Sequence, residues 1–264
     1  MNINADETLD TRVPQGKWRL IWSDEFTGDE IDRSKWTQVE GGHGFGNNEL
    51  QFYTGRKENA YLKNGKLVIR ALKETYQDKA YTSAKLMTKG KAEWQYGRFE
   101  IRAKSPKGQG IWPAIWMMPA DTLTYGEWPS CGEIDIMELI GSSPNTVHGT
   151  LHYGHPHTYT GQSYTLSKGD FSEDYHIFSL EWTPTEIRWF VDDKLYSKQS
   201  TWFTSHKKGE EQEPFPAPFN RPFYLQLNLA VGGNWPGNPD QTTVFPQTFE
   251  IDYVRVYEST SNFS

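Results

Sequence analysis

The sequence alternates apolar and polar side chains with a period of two, in runs of seven to nine residues, and that periodicity admits strands and little else. Phe99, Ile101 and Ala103 alternate with Arg98, Glu100 and Arg102. Val147, Leu151 and Tyr153 oppose His148, Thr150 and His152, and the series Phe223, Leu225, Leu227, Leu229 and Val231 opposes Gln226 and Asn228. Each run therefore offers one face to a core and one hydrogen-bonding face to a partner or to solvent. The 23 glycines and 15 prolines fall between such runs as turns, which is the punctuation of a β-sandwich or jelly roll. No amphipathic helix of useful length is visible. The segment from Glu186 to Tyr196 predicts a hairpin that turns at Asp192, Asp193 and Lys194.

A chain of 264 residues can bury one large core, and all-β sandwiches reach this size as a single domain. We expect a polar N-terminal extension over 1–16, one domain over 17–258 and a short tail over 259–264. Residues 206–221, with Lys207, Lys208, Glu210, Glu211 and three prolines, read as a long exposed loop. A net charge of -7 and the lack of a basic stripe exclude nucleic acid as a partner. No apolar run is long enough to span a membrane, and Met1 to Asp6 have no signal-peptide character. The single cysteine, Cys131, excludes an internal disulfide and reads as a small packed side chain.

Chemistry concentrates in Gly132 to Ile140, where Glu133, Asp135 and Glu138 interrupt an apolar stretch. Removing carboxylates from water is costly, so such a strand needs a reason to keep three of them. Glu133 and Asp135 share one face while Ile134 and Ile136 enter the core. Glu138 falls out of phase unless one extra residue, a β-bulge near Met137, returns it to the acidic face. Three acids on a solvated strand face would give the same spacing. Lining a cleft instead, they suit a retaining glycoside hydrolase, with two carboxyls as nucleophile and acid/base and Asp135 between them sharing a proton.

Aromatics make up 15% of the chain, including 11 Trp, and flat rings can stack on the apolar faces of sugars or simply fill a wide core. Trp112, Ala114 and Trp116 share one face of a run whose other face holds Ile115 and Met117. The two tryptophans are thus either a cleft floor or packing beneath loops. His148 and His152 form a possible metal pair, but no third ligand is evident.

The chain resembles the bacterial laminarinase branch of glycoside hydrolase family 16 from about Trp18 to Tyr257. The resemblance rests on Ser23-Asp24-Glu25-Phe26, Asn47-Asn48-Glu49-Leu50-Gln51, Tyr96 to Glu100, Gly110 to Trp116, Glu133 to Glu138, His148 to Tyr153, Glu181-Trp182-Thr183-Pro184 and Ile251 to Tyr257. It implies an all-β jelly roll of two antiparallel sheets, concanavalin A-like, with a concave substrate cleft. It further implies Glu133 as nucleophile, Glu138 as acid/base and Asp135 as the assisting carboxylate, acting on internal bonds of β-1,3-glucan without a catalytic cofactor. Mixed-linkage β-1,3(4)-glucan, agar or carrageenan are alternative substrates, and a non-catalytic glucan-binding lectin is a rival of another class. The bulge at Met137 places the chain with laminarinases, agarases and carrageenases rather than lichenases. Trp112, Trp116 and Trp128 are expected to stack on sugar, Asn47, His152, Gln226 and Asn228 to hydrogen-bond it, and Trp235 to wall the cleft. Glu25, the carbonyl of Gly65 and Asp252 match positions that hold a structural Ca²⁺. Lys85 stands where arginine is more usual in this branch. A monomeric protein, acting outside the cell on a polymer, is the expectation that follows.

Overall fold

The computed structural model describes residues 17–206 and 211–261. The expected extension over 1–16, Lys207, Lys208 and Glu210 of the expected loop, and 262–264 of the tail lie outside the described residues.

Seventeen strands follow one another along the chain: β1 (Trp18–Asp24), β2 (Thr37–Gln38), β3 (Gln51–Tyr53), β4 (Ala60–Leu62), β5 (Leu67–Tyr76), β6 (Lys79–Ser83), β7 (Lys85–Met87), β8 (Gly97–Lys104), β9 (Ile111–Pro119), β10 (Glu133–Leu139), β11 (Thr146–Tyr153), β12 (Thr158–Thr165), β13 (His176–Trp182), β14 (Ile187–Val191), β15 (Lys194–Gln199), β16 (Phe223–Val231) and β17 (Gln247–Ser259). Among the described residues the helical content is one 3₁₀ turn, Gly44–Gly46. The hairpin expected at Asp192 is β14–β15, and both Asp192 and Asp193 adopt positive φ as its tight turn requires.

The strands form two sheets. One runs β15-β14-β13-β8-β17-β5-β6-β3, with β1 beside β17 and β4 beside β5; the other runs β12-β11-β10-β9-β16-β7-β2. Neighbours are antiparallel except β3 and β6. Between the sheets lies the core, where Ile115, Ile134, Leu151, Leu227 and Leu229 of the seven-stranded sheet meet Ile69, Phe99, Ile101, Leu180, Trp189 and Val254 of the other. The alternation in β11 is fully expressed: Val147, Gly149, Leu151 and Tyr153 are buried and the residues between them are half-buried. β16 departs from simple alternation, because all nine of its residues are buried. Its polar Gln226 and Asn228 lie beneath side chains of the cleft rather than in open solvent.

The expected loop at 206–221 is only partly exposed. Ala217 and Phe219 are buried, Phe219 packs edge-on against Tyr153 and Trp202, and its carbonyl accepts the indole N–H of Trp182 at 3.1 Å. A proline-rich composition concealed this anchor, since two phenylalanines inside a polar loop have no periodicity to reveal which is buried.

Candidate active site in a cleft on the seven-stranded sheet

Strand register assembles the site. Glu133 pairs with His152 and Asp135 with Thr150, and two residues beyond them on β11 His148 pairs with Glu138. Three residues of β10 thus span what two residues of β11 span, which is a β-bulge at Ile136 and Met137. Both bulge side chains are buried in the core, and all three acids share the opposite face. The core side of the bulge is clamped by Trp189, whose indole donates to the Asp135 carbonyl at 2.8 Å. Gly149 allows that approach, because a Cβ there would meet the Trp189 ring at 2.4 Å.

Rows of paired residues carry the face across the sheet. Lys85 on β7 opposes Asn228 on β16, which opposes Ala114 on β9, which opposes Glu138 on β10. In the adjoining row Gln226 opposes Trp116, Trp116 opposes Asp135, and Asp135 opposes Thr150. Above these rows lies a cavity of about 720 Å³ bordered by Trp112, Trp116, Trp128, Trp235, His148 and His152, with Glu133 and Glu138 at its base. A smaller cavity of about 140 Å³ opens beside it toward Lys85, Glu49, Tyr53 and Asn228.

Each glutamate receives a different indole. Trp128 donates to Glu133 Oε2 at 2.7 Å and Trp112 donates to Glu138 Oε1 at 3.0 Å. Trp116 instead donates to Asn228 at 2.6 Å; Asn228 donates to Tyr53 at 3.1 Å, and Tyr53 to Glu49 at 3.3 Å. The ring of Trp116 is therefore fixed from beneath while its face remains with the cavity.

Burial is the main influence on all three carboxyls. It pushes Glu133 up to about 8, reinforced by the charge of Asp135 and opposed by His152 and the Trp128 donor. Asp135 is likewise raised by burial, and a hydrogen bond from Glu133 holds it back. Glu138 lies well above the ordinary carboxylate range, through burial and then the charges of Asp135 and Glu133. Three acids sharing one face titrate as a unit, in which burial favours the acid form of each.

Most of the expected ligand residues come together here. Asn47, Trp112, Trp116, Trp128, His152 and Trp235 border the larger cavity, and Asn228 the smaller one. Gln226 is not among the side chains bordering either cavity, and its amide nitrogen is buried without a hydrogen-bond partner among the described residues. Trp235 stands edge-on to Trp112 at 5.6 Å and to His148 at 5.1 Å. Cys131 is buried, with its thiol pushed up to about 12 by burial and then by Glu133, and takes no part.

The expectations did not include Phe45, Glu49, Tyr53, His157 or Tyr159. Glu49 and Gln51 are two residues apart on the approach to β3 and hydrogen-bond at 2.6 Å, a spacing legible in the sequence but shared by many surface pairs. His157 sits in a loop and reaches the site through a 2.9 Å contact with His152 Nδ1 and a tilted ring contact with Trp128 at 4.7 Å.

A second cluster lies on the other sheet. Glu25, Gly65 and Asp252 border one cavity of about 480 Å³ together with Arg102 and Arg255. Gly65, at the tip of the turn closed by Lys63 and Lys66, presents backbone at positive φ. Two carboxylates and a carbonyl are the hard oxygen donors that Ca²⁺ takes, so the donor set fits. Arg255 makes two 3.0 Å bonds to Glu25, and Arg102 and Lys66 pair with Asp252, so an ion would exchange places with these cations.

A sequence model of glycosyl hydrolases family 16 matches residues 47–255. A beta-glucanase of Rhodothermus marinus is 48% identical over 91% of this chain and 85% of its own length. A glucan endo-1,3-beta-glucosidase of Cryptopygus antarcticus is 41% identical, covering 91% of this chain and 92% of that one. The solved structure of the laminarinase from Rhodothermus marinus superposes with a TM-score of 0.83 at 46% identity, over 92% of this chain and 98% of that one. The strand order, the acidic face of β10 and these likenesses agree: the chain belongs to glycosyl hydrolases family 16.

Proposed function

We propose that this protein is a retaining endo-β-1,3-glucanase acting by double displacement. The observation that carries the reading is the pair Glu133 and Glu138 on one cleft face, each held by its own indole donor, with Asp135 between them. Glu133 attacks the anomeric carbon while protonated Glu138 delivers its proton to the leaving oxygen. Glu138, now ionised, takes a proton from water, and that water displaces Glu133 from the glycosyl enzyme. Burial holds Glu138 well above the ordinary carboxylate range, as a general acid requires; the Trp128 donor favours the Glu133 anion that attacks, and His152 favours the anions of both.

Trp112, Trp116, Trp128 and Trp235 supply ring faces for the sugar, and Asn47, His152 and Asn228 supply polar atoms at the cavity border. The substrate class follows the beta-glucanases and the laminarinase among the relatives. A chain net charge of -7 is unsuited to sulfated polymers such as carrageenan. Structural Ca²⁺ at Glu25, Gly65 and Asp252, supported by their gathering around one cavity, completes the proposal. An insoluble or polymeric glucan would place the enzyme outside the cell.

The test is reducing-sugar release from laminarin, with NMR of the first-formed anomer. Retention is expected, and Glu133→Ala with azide should yield a glycosyl azide of inverted configuration. No release by the native chain would leave the glucan-binding lectin as the better reading; azide rescue through Glu138→Ala alone would exchange the two roles.

A further inference from the structure

His152 is the point where the cleft offers more than sugar chemistry. Its Nε2 lies 3.3 Å from Asp135 Oδ2, yet that buried oxygen accepts no hydrogen bond among the described residues. The contact is close yet is not a hydrogen bond, and its length is one that an ion bridging the two atoms would allow. Two ligands of a tetrahedral zinc ion, each at about 2.0 to 2.1 Å from the metal, are about 3.3 Å apart. A carboxylate oxygen of Glu133 joins them, and the three ligand atoms all lie within 4.8 Å of one another.

The surroundings are those of a built metal site. His152 Nδ1 is 2.9 Å from His157 Nε2, a partner that can hold the ring as the tautomer whose Nε2 lone pair is free. Trp128 engages Oε2 of Glu133, and the hydrogen bond that the Glu133 carboxyl shares with Asp135 is one that a metal ion would replace. The open cavity of about 720 Å³ supplies an entry path and room for a fourth ligand from solvent.

We propose that Glu133, Asp135 and His152 bind a divalent transition-metal ion of the zinc type, and that such an ion closes the cleft to substrate. A nitrogen donor beside two carboxylates selects zinc, cobalt or copper over calcium and magnesium. The ion engages Glu133 directly, so metal and sugar exclude one another.

Titration calorimetry of the whole chain with zinc chloride, in millimolar calcium to fill oxygen-only sites, is the primary experiment. One zinc per chain is expected, with affinity at least tenfold weaker in His152→Ala and about tenfold weaker in His157→Gln, a change in the ligand's partner alone. Cobalt(II) should give the intense visible bands of a tetrahedral N/O site. Zinc should raise the KM for laminarin with kcat unchanged, reversibly on chelation. Equal zinc affinity in the native chain and in folded His152→Ala, or octahedral-type cobalt spectra, overturns the proposal. Should His152→Ala fail to fold, His157→Gln and the cobalt spectrum decide. Calorimetry and spectra do not depend on glucanase activity, so their failure is distinct from failure of the functional reading.

Discussion

Trp112 and Glu138, on neighbouring strands, are joined by an indole N–H that donates to the carboxyl at 3.0 Å. The bond favours the anion of a group that burial otherwise keeps protonated, so it both aims the acid and moderates its pKa.

Replacing the donor separates those effects. Trp112→Phe keeps a ring in the cleft and removes the N–H, and a hydrogen bond to an ionisable partner contributes on the order of 1.5 to 3 kcal/mol. We expect kcat to fall roughly tenfold or more while the alkaline limb of the pH–rate profile moves up by about one unit. A limb that moves down would show that the indole stabilises the acid form.

The same burial makes the active site a source of instability. Glu138 has a folded pKa above its unfolded value, so its contribution is fully present below the unfolded pKa near 4.5 and is lost as pH rises toward and through the folded one. Glu138→Gln, which cannot ionise, should therefore match the native chain at pH 4 and exceed it at pH 8. The gain appears as a higher Tm at pH 8, measurable by calorimetry, alongside near-complete loss of activity.

Lys85 is buried over the faces of Trp116, at 4.5 Å from the ring centre, and Phe45, at 5.4 Å. Burial lowers its ammonium to about 8 against the opposing pull of Glu49 and Glu133. Its charge is present below that pH and lost above it. The KM for laminarin oligosaccharides should rise from pH 7 to 9 in the native chain and stay level in Lys85→Arg, whose guanidinium remains charged. Identical pH profiles of KM in the two proteins would remove Lys85 from substrate binding.

What the sequence disclosed and what it hid divide along a physical line. Strand phase is a local property, so the acidic face of β10, the bulge and the two faces of β9 could be read before any coordinates. Lys85 was noticeable as an unusual residue, but its neighbours Phe45, Glu49 and Tyr53 arrive from a separate loop and strand. His157 was hidden for another reason: it lies five residues past His152, in the turn between β11 and β12, where strand phase no longer applies. Phe219 shows the converse case, where composition suggested solvent and residues 217–219 are nonetheless buried within an otherwise largely exposed segment.

At the second cluster, Glu25 and Asp252 are held by Arg255, Arg102 and Lys66, and the proposed calcium ion competes with these partners. Millimolar calcium should raise Tm and a chelator lower it, with Glu25→Gln abolishing the response and leaving kcat within about twofold. By mass action, calcium at a hundredfold excess over its Kd stabilises by about 2.7 kcal/mol. A Tm indifferent to calcium in the native chain would leave the arginine pairs as the whole function of that cluster.

Deleting Met137 tests the bulge with unusual economy. The pairs Glu133–His152 and Asp135–Thr150, followed by Glu138–His148, are those a regular strand would make with one residue fewer. The shortened strand can therefore keep all three acids in phase, and what changes is the local bend and twist that set the spacing of Asp135 and Glu138. Met137 is fully buried, so its loss should also cost on the order of 2 to 4 kcal/mol of stability. We expect a folded variant with a lower Tm that has lost hydrolysis of β-1,3-glucan by at least a hundredfold. The destabilised control Met137→Ala, which keeps the residue count and the bulge, should retain most of it. If the deletion variant cleaves laminarin as well as Met137→Ala does, then phase alone suffices, and the bend at Ile136 and Met137 has no part in placing the acid.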